Sequence, residues 1–190
     1  GLTRAGHRMV AALNDAGVLV DISHVGNRTG RDAVEASGRP IAVTHGNPAS
    51  FCPSDRNKPD DLIDALAARG GVIGCTLYPL FMGGAGVSRA SYFRMVADLA
   101  ERIGVRHVAI GSDAVVGWAP DALGWMRNGR WDRPSDPDQI PAFPPWPPWF
   151  QGPEDFGSLA EGLDDAGFLP GERDAVLGGN WLRLFGEVFA

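Results

Sequence analysis

The strongest constraint on the fold is an alternation of short apolar stretches with amphipathic segments. Four stretches have the composition of buried strands, at residues 18–24, 41–45, 72–78 and 107–113. Helical periodicity covers residues 3–15, 28–37, 59–69, 90–103, 155–166 and 171–188. Because a helix between two strands returns the chain to the same edge of a sheet, the pattern predicts parallel pairing and an α/β fold.

The number of repeating units suggests an incomplete barrel. Four strand-helix units are half of a (β/α)8 TIM barrel, which normally needs about 250 residues. The chain has 190 residues and also contains a long irregular insertion. We therefore predict that residues 1–190 form the C-terminal portion of a single (β/α)8 barrel domain. A four-stranded open sheet is the alternative.

The insertion at residues 118–152 is rich in tryptophan and proline. Residues 144–148 read Pro-Pro-Trp-Pro-Pro, and the insertion contains Trp118, Trp125, Trp131, Trp146 and Trp149. Leaving so many indole rings in water is unfavourable. We expect the insertion to pack on the barrel mouth or on the second subunit of a homodimer. The alternative is a wall or lid of a substrate pocket.

Composition argues against several kinds of partner. The net charge is −6 and Lys58 is the only lysine, so no cationic stripe is offered to nucleic acid. No run of about 18 apolar residues is present, which predicts no membrane span. Cys52 and Cys75 are too few for a disulfide framework. A reducing compartment fits this cysteine usage, and we expect a cytoplasmic location.

Polar side chains end all four predicted strands. They are, in chain order, His24, His45, Tyr78 and Asp113. The carboxyl ends of parallel strands share one face, where catalytic groups gather. Imidazole and carboxylate groups suit zinc and similar ions, so we predict a metal site that includes the two histidines and the aspartate. These ligands are too few for a two-metal site, which also needs a bridging group.

The loop after the second predicted strand contributes a cation to the same face. Its Arg56 could hold the carboxylate of a substrate, because a guanidinium binds a carboxylate through two parallel hydrogen bonds. The alternative is an ion pair within the loop, with Asp55, Asp60 or Asp61. Lys58 lies in this loop and not at a strand end, so we do not expect it to bridge two metals as a modified lysine.

Six short motifs follow one another in a fixed order. They are GLTRAG at 1–6, DISH at 21–24, VTH at 43–45, RNKPDD at 56–61, GSD at 111–113 and GNWLR at 179–183. In this order and spacing the motifs resemble the membrane (renal) dipeptidase family of zinc peptidases. The resemblance runs from Gly1 almost to the C-terminus.

The resemblance implies a (β/α)8 barrel that holds two zinc ions and hydrolyses dipeptides. His24 and His45 match the histidines that hold one zinc. Asp113 matches the aspartate on the other zinc, where it would also act in catalysis. Arg56 matches the arginine that binds the substrate carboxylate. The family's His-x-Asp pair and bridging glutamate precede residue 1, so the N-terminal half of the barrel is an expected partner.

The substrate pocket is where the chain departs from the family pattern. Asn57, Tyr78 and Phe81 are predicted to line this pocket, and Phe81 stands near the place of a tyrosine. Residues 114–117 read Ala-Val-Val-Gly where Phe-Asp-Gly is usual. These departures favour, as an alternative, a metallohydrolase of the same fold that acts on a different small amide or peptide-derived metabolite. A catalytically silent binding or assembly subunit is the other alternative.

Overall fold

The sheet is parallel, as the alternating pattern predicts. The computed structural model describes residues 1–116 and 144–190. Within them, strands β1 (Ala42–Val43), β2 (Val72–Cys75) and β3 (Val108–Ile110) form one parallel sheet in the order β1-β2-β3. The register pairs Ala42 with Val72 and Ile73 with Val108.

The first predicted strand is reduced to a single bridge. Asp21 forms an isolated parallel bridge with Ala42, and the Ile22 amide donates to the Ala42 carbonyl over 2.8 Å. Beyond this bridge the ladder stops, because the Asp21 carboxylate accepts the amides of Ser23 and Thr44 in place of backbone carbonyls. The predicted strand over 18–24 was therefore too long. The other three strands are also shorter than predicted.

Helices flank the strands at the predicted places. They are α1 (Arg4–Asp15), α2 (Asn27–Ala36), α3 (Asp60–Ala68), α4 (Arg89–Ile103), α5 (Phe156–Asp165), α6 (Pro170–Asp174) and α7 (Asn180–Val188). A π-helical turn, Ala175–Gly179, joins α6 to α7, so the helix predicted over 171–188 is interrupted. None of the helices in the two described ranges is long and apolar enough to cross a bilayer.

Side-chain caps explain where two of these helices begin. The Thr3 hydroxyl accepts the Gly6 amide at the start of α1, and the Ser88 hydroxyl accepts the Ser91 amide at the start of α4. Such caps satisfy amides that have no partner within the helix. Helix α4 ends at Ile103, and the residue that caps it is Gly104, whose φ of 89° favours glycine.

The sheet packs its apolar side chains against both neighbouring layers. On one face Ile73, Cys75 and Val108 belong to the main core, with buried side chains of α2 to α5. On the other face Val72 and Ala109 pack against α7. The guanidinium of Arg183 in α7 donates to the carbonyls of Gly70 and Arg106, just before β2 and β3. Helix α7 therefore crosses the amino ends of the strands, opposite the end where the predicted site lies.

The described end of the Trp/Pro-rich insertion packs on helix α4 and the residues just before it. The Trp149 indole donates to the Val87 carbonyl over 2.9 Å, and its ring lies 5.5 Å from that of Tyr92. Phe150 is fully buried. Packing is thus confirmed for this end of the insertion. Trp118, Trp125 and Trp131 lie outside the described residues.

Candidate metal and substrate site

Two histidines from neighbouring chain segments meet at the carboxyl end of the sheet. His24 follows the bridge at Asp21, and His45 follows β1. Their Nε2 atoms are 2.8 Å apart and their ring centroids 4.8 Å apart. Two nitrogen ligands of a tetrahedral zinc ion are about 3.3 Å apart, so a small rotation of either ring would let both nitrogens face one ion. The two histidines therefore suit part of the ligand set of a metal site.

A carboxylate that sequence reasoning missed organises the segments behind these rings. Asp21 Oδ2 accepts the Thr44 hydroxyl over 2.8 Å. Asp21 Oδ1 accepts the Ser23 hydroxyl over 2.5 Å and the amides of Ser23 and Thr44 over 2.9 and 3.1 Å. Partial burial would raise the pKa of Asp21, but these hydrogen bonds outweigh it and lower the pKa below its ordinary value. The carboxylate is therefore ionised at neutral pH.

The position of Arg56 supports a role at the site and not within its own loop. Its Nη1 donates to His24 Nδ1 over 2.7 Å, and its Cζ lies 5.5 Å from the centroid of the Phe81 ring. Two of the three alternative partners are engaged elsewhere, since Asp60 pairs with Arg102 and Asp61 with Arg31.

The charges around His24 favour its neutral form. Burial lowers the pKa of His24, and the positive charge of Arg56 lowers it further, with a smaller contribution from His45. The charges of Asp113 and Asp21 oppose this shift without reversing it. A neutral imidazole is the form that binds metals. The electrostatics at His24 therefore suit a metal ligand.

Asp113 lies close enough to influence His24 but does not join a ligand cluster. Its backbone has a φ of 60°, which is uncommon for a residue other than glycine, and its side chain is exposed. Within residues 1–116 and 144–190, no three His, Cys, Asp or Glu side chains lie close enough together to hold a metal ion. The structure thus brings His24 and His45 together and leaves Asp113 outside this pair.

An aromatic rim borders the site. The Tyr78 ring lies 5.1 Å from that of Phe81 and 6.1 Å from that of Trp146, which belongs to the returning end of the insertion. The Arg56 guanidinium lies over the Phe81 ring, with Cζ 5.5 Å from the ring centroid, so the guanidinium borders this rim. The arrangement suits a ligand that combines a carboxylate with an apolar group.

The third predicted pocket residue has a different position. Asn57 is buried, and its amide nitrogen donates to the carbonyls of Cys52 and Phe81 over 2.7 and 3.0 Å. Its amide oxygen accepts the Asn47 backbone amide over 3.0 Å. The side chain therefore shapes the loop that carries Arg56, and a contact between Asn57 and substrate stays a prediction.

Lys58 joins two loops of the site. It is fully buried, and its Nζ donates to the Val25 carbonyl over 3.0 Å, next to His24. Burial and the charge of Arg56 lower the pKa of Lys58 to about 8. In this position Lys58 ties the Arg56 loop to the segment that follows His24.

Comparison with known proteins identifies relatives with both a sequence and a fold match. The profile of the family described as membrane dipeptidase (peptidase family M19) matches residues 1–125. The dipeptidase aclJ of Aspergillus oryzae is 30% identical over 99% of the chain, which spans 39% of that relative. Dipeptidase 3 of Mus musculus is 27% identical over 99% of the chain, which spans 33% of that protein. The chain therefore covers well under half of these curated relatives.

Solved structures show the same fold. An amidohydrolase from Pseudomonas aeruginosa superposes with a TM-score of 0.85 at 26% identity, over 100% of this chain and 58% of that one. A metallo peptidase from Rhodobacter sphaeroides, liganded with a phosphinate mimic of the dipeptide L-Ala-D-Ala, superposes with a TM-score of 0.79 at 23% identity. The match covers 99% of this chain and 47% of that one.

The fold is thus that of TIM-barrel metallohydrolases, of which this chain supplies about half, as predicted. The family profile covers most of the chain and spans both histidines, Arg56 and Asp113. The chain belongs to the membrane dipeptidase family, peptidase family M19.

Proposed function

We propose that this chain carries one half of the active site of a zinc-dependent dipeptidase. The observation that carries the proposal is the pair of facing imidazole nitrogens, 2.8 Å apart, with the Arg56 guanidinium beside them. The site combines ligands for a metal with a group that binds a carboxylate. The relatives named as dipeptidases support the same activity.

The metal centre would be shared between two halves of the barrel. His24 and His45 would hold one zinc ion, and Asp113 would contribute to a second. The other ligands, including a bridging carboxylate, would come from the N-terminal half. When bound, the two ions would lower the pKa of a water molecule and polarise the scissile carbonyl.

Asp113 would handle the proton in hydrolysis. Its carboxylate would accept a proton from the attacking water and pass it to the nitrogen of the leaving amine. Exposure of this side chain at the mouth of the sheet leaves its oxygens accessible to substrate. The negative charge that Asp113 presents towards His24 is consistent with a position near the metals.

Arg56 would bind the free carboxylate of the dipeptide. We expect Arg56→Ala to lower kcat/KM for free dipeptides by about 10- to 100-fold, mainly through KM, because charged hydrogen bonds contribute about 1.5–3 kcal/mol. For dipeptides with an amidated C-terminus, kcat/KM should change little, because these substrates have no free carboxylate for Arg56 to bind. Steady-state kinetics of the natural full-length protein on both substrate series would test this role.

The matched control for Arg56 is Arg89→Ala. Arg89 pairs with Glu161 and Asp165 on the outer helices, so its removal should leave both substrate series unchanged. If Arg56→Ala lowered kcat/KM equally for free and amidated dipeptides, this result would contradict the carboxylate role. It would indicate a general effect on the site.

The aromatic rim favours a second candidate function. Trp146 from the insertion contacts Tyr78, which in turn contacts Phe81. This side of the site is therefore an apolar, aromatic surface. A metallohydrolase with the same metal site but a different small amide or peptide-derived substrate fits this rim. Comparing turnover of small dipeptides with that of bulky aromatic amides would distinguish the two functions.

A further inference from the structure

Four hydrogen-bond contacts connect Arg56 to Asp21 through both histidines. Arg56 Nη1 is 2.7 Å from His24 Nδ1, and His24 Nε2 is 2.8 Å from His45 Nε2. His45 Nδ1 is 3.0 Å from the Thr44 hydroxyl, which is 2.8 Å from Asp21 Oδ2. One end of the series is a guanidinium, which can only donate, and the other is an ionised carboxylate, which can only accept.

The Asp21 end determines which nitrogen of His45 carries the proton. A hydroxyl group has one proton, and that of Thr44 goes to Asp21 Oδ2, because the carboxylate cannot donate. The Thr44 oxygen can then only accept a hydrogen bond from His45. Its contact with His45 Nδ1 therefore requires a proton on Nδ1, and Nε2 keeps its lone pair.

The neighbouring hydroxyl of Ser23 does not change this assignment of the His45 proton. It lies 3.1 Å from the Thr44 hydroxyl, but its own proton is directed to Asp21 Oδ1 over 2.5 Å. Ser23 also accepts the His45 backbone amide over 3.2 Å. The Asp21 carboxylate thus orients two hydroxyl groups. The Thr44 hydroxyl contacts the His45 ring, and the Ser23 hydroxyl accepts the His45 backbone amide.

The Arg56 end bears on His45 through one contact. The guanidinium faces both nitrogens of His24, Nδ1 over 2.7 Å and Nε2 over 3.0 Å, so it does not determine which of them carries the His24 proton. Arg56 Nη2 also lies 3.5 Å from His45 Nε2, and because a guanidinium can only donate, this contact requires a lone pair on that nitrogen. The contact therefore agrees with a His45 ring protonated on Nδ1.

We propose that Asp21 is a positioning residue which acts through Thr44 to hold His45 as the Nδ1-protonated tautomer, with the Nε2 lone pair turned towards His24. Its importance for catalysis rests on the proposed function, in which that lone pair binds zinc. The tautomer itself does not depend on the proposed function. A partner that fixes the second nitrogen of a ligand histidine also sets the orientation of its ring.

The sharpest test is Asp21→Asn, which should reverse the tautomer. Two backbone amides point at Oδ1 of residue 21, so the asparagine oxygen must remain there and its NH₂ group must face Thr44. The Thr44 hydroxyl would then accept from the amide and donate to His45 Nδ1, which moves the His45 proton to Nε2. Long-range ¹H–¹⁵N NMR of the metal-free natural full-length protein would identify the protonated nitrogen. Unchanged protonation on Nδ1 would overturn the proposal.

A second set of variants separates the hydroxyl from general damage to the fold. Thr44→Val should weaken zinc binding by about 10- to 100-fold, and Thr44→Ser should restore it. Thr76→Val removes a comparable hydroxyl at the end of β2, which accepts the Tyr78 amide, and should have no effect on zinc affinity. Equal zinc affinity in Thr44→Val and the wild type would count against the proposal.

The spectra contain an internal reference. His107 Nδ1 lies 2.8 Å from the Gly71 carbonyl, which can only accept, so His107 should stay protonated on Nδ1 in every variant. A wild-type protein that binds no zinc would refute the proposed function. The His45 tautomer in the wild type and in Asp21→Asn would still decide the positioning role by itself.

Discussion

Replacing His45 with alanine is expected to lower dipeptide hydrolysis by at least about 100-fold, because even the groups that orient a metal ligand typically contribute 10- to 100-fold. The substitution removes one of two imidazole nitrogens that face each other across 2.8 Å. It leaves Arg56 in place, so substrate binding through the carboxylate should persist. The loss should therefore appear in kcat more than in KM.

A matched control is available elsewhere in the chain. His7 is exposed on α1, and His7→Ala should leave hydrolysis unchanged. Circular dichroism of both variants would show that the fold is retained. Activity of His45→Ala within about threefold of the wild type would show that His45 is not a metal ligand, since loss of a ligand costs far more.

The substitution Gly111→Ala is expected to destabilise the protein by more than about 3 kcal/mol, at the upper end of the cost of overpacking. A Cβ atom at Gly111 would overlap the carbonyl oxygen of Thr44 and would lie 3.2 Å from the Cα of Gly74. Both obstacles are backbone atoms, which cannot move aside without displacing a strand. Because Thr44 precedes His45, any displacement would also disturb the site.

Denaturant unfolding of Gly111→Ala against Gly186→Ala would measure this effect. Gly186 lies in α7, where an added Cβ has no heavy atom within 4 Å. Alanine there should stabilise the protein by about 0.5–1 kcal/mol, since glycine is a poor helix former. A Gly111→Ala variant as stable as the wild type would mean that the strand ends are farther apart than the structure shows.

The sequence predicted the arrangement of elements better than their lengths. Apolar stretches separated by helices imply parallel strands with a common carboxyl end, and the structure has both. The strands end earlier than the apolar pattern suggests because side chains take over their hydrogen bonds. Asp21 accepts the Thr44 amide, and Asn47 accepts the Thr76 amide. A pattern of apolar residues does not indicate where a side chain replaces a backbone carbonyl as the hydrogen-bond acceptor.

The site itself was only partly accessible from the sequence. His24 and His45 could be placed together because each follows a predicted strand. Asp21 was missed, although it is the one acidic residue of the predicted strand over 18–24, a signal that could have identified it. For Arg56 the sequence left an ion pair with nearby aspartates open. The contact with His24 depends on the path of the loop, which buried contacts of Asn57 and Lys58 determine.

The insertion illustrates a different limit. Composition alone indicated that its indole rings need cover, and Trp149 finds it against Val87 and Tyr92. Composition could not indicate that Trp146 would meet Tyr78 at the rim of the site. That contact depends on where the chain re-enters the barrel, which is a property of the tertiary fold.

The most direct test of the central claim is the metal content and dipeptide turnover of the natural full-length protein before and after chelation. We predict that removing the metal abolishes turnover and that added zinc restores it. The variants His24→Ala and His45→Ala should contain less bound zinc, and added zinc should not restore their turnover. Full turnover of the chelated protein, or zinc content in both variants equal to the wild type, would contradict the assignment of His24 and His45 to the metal centre.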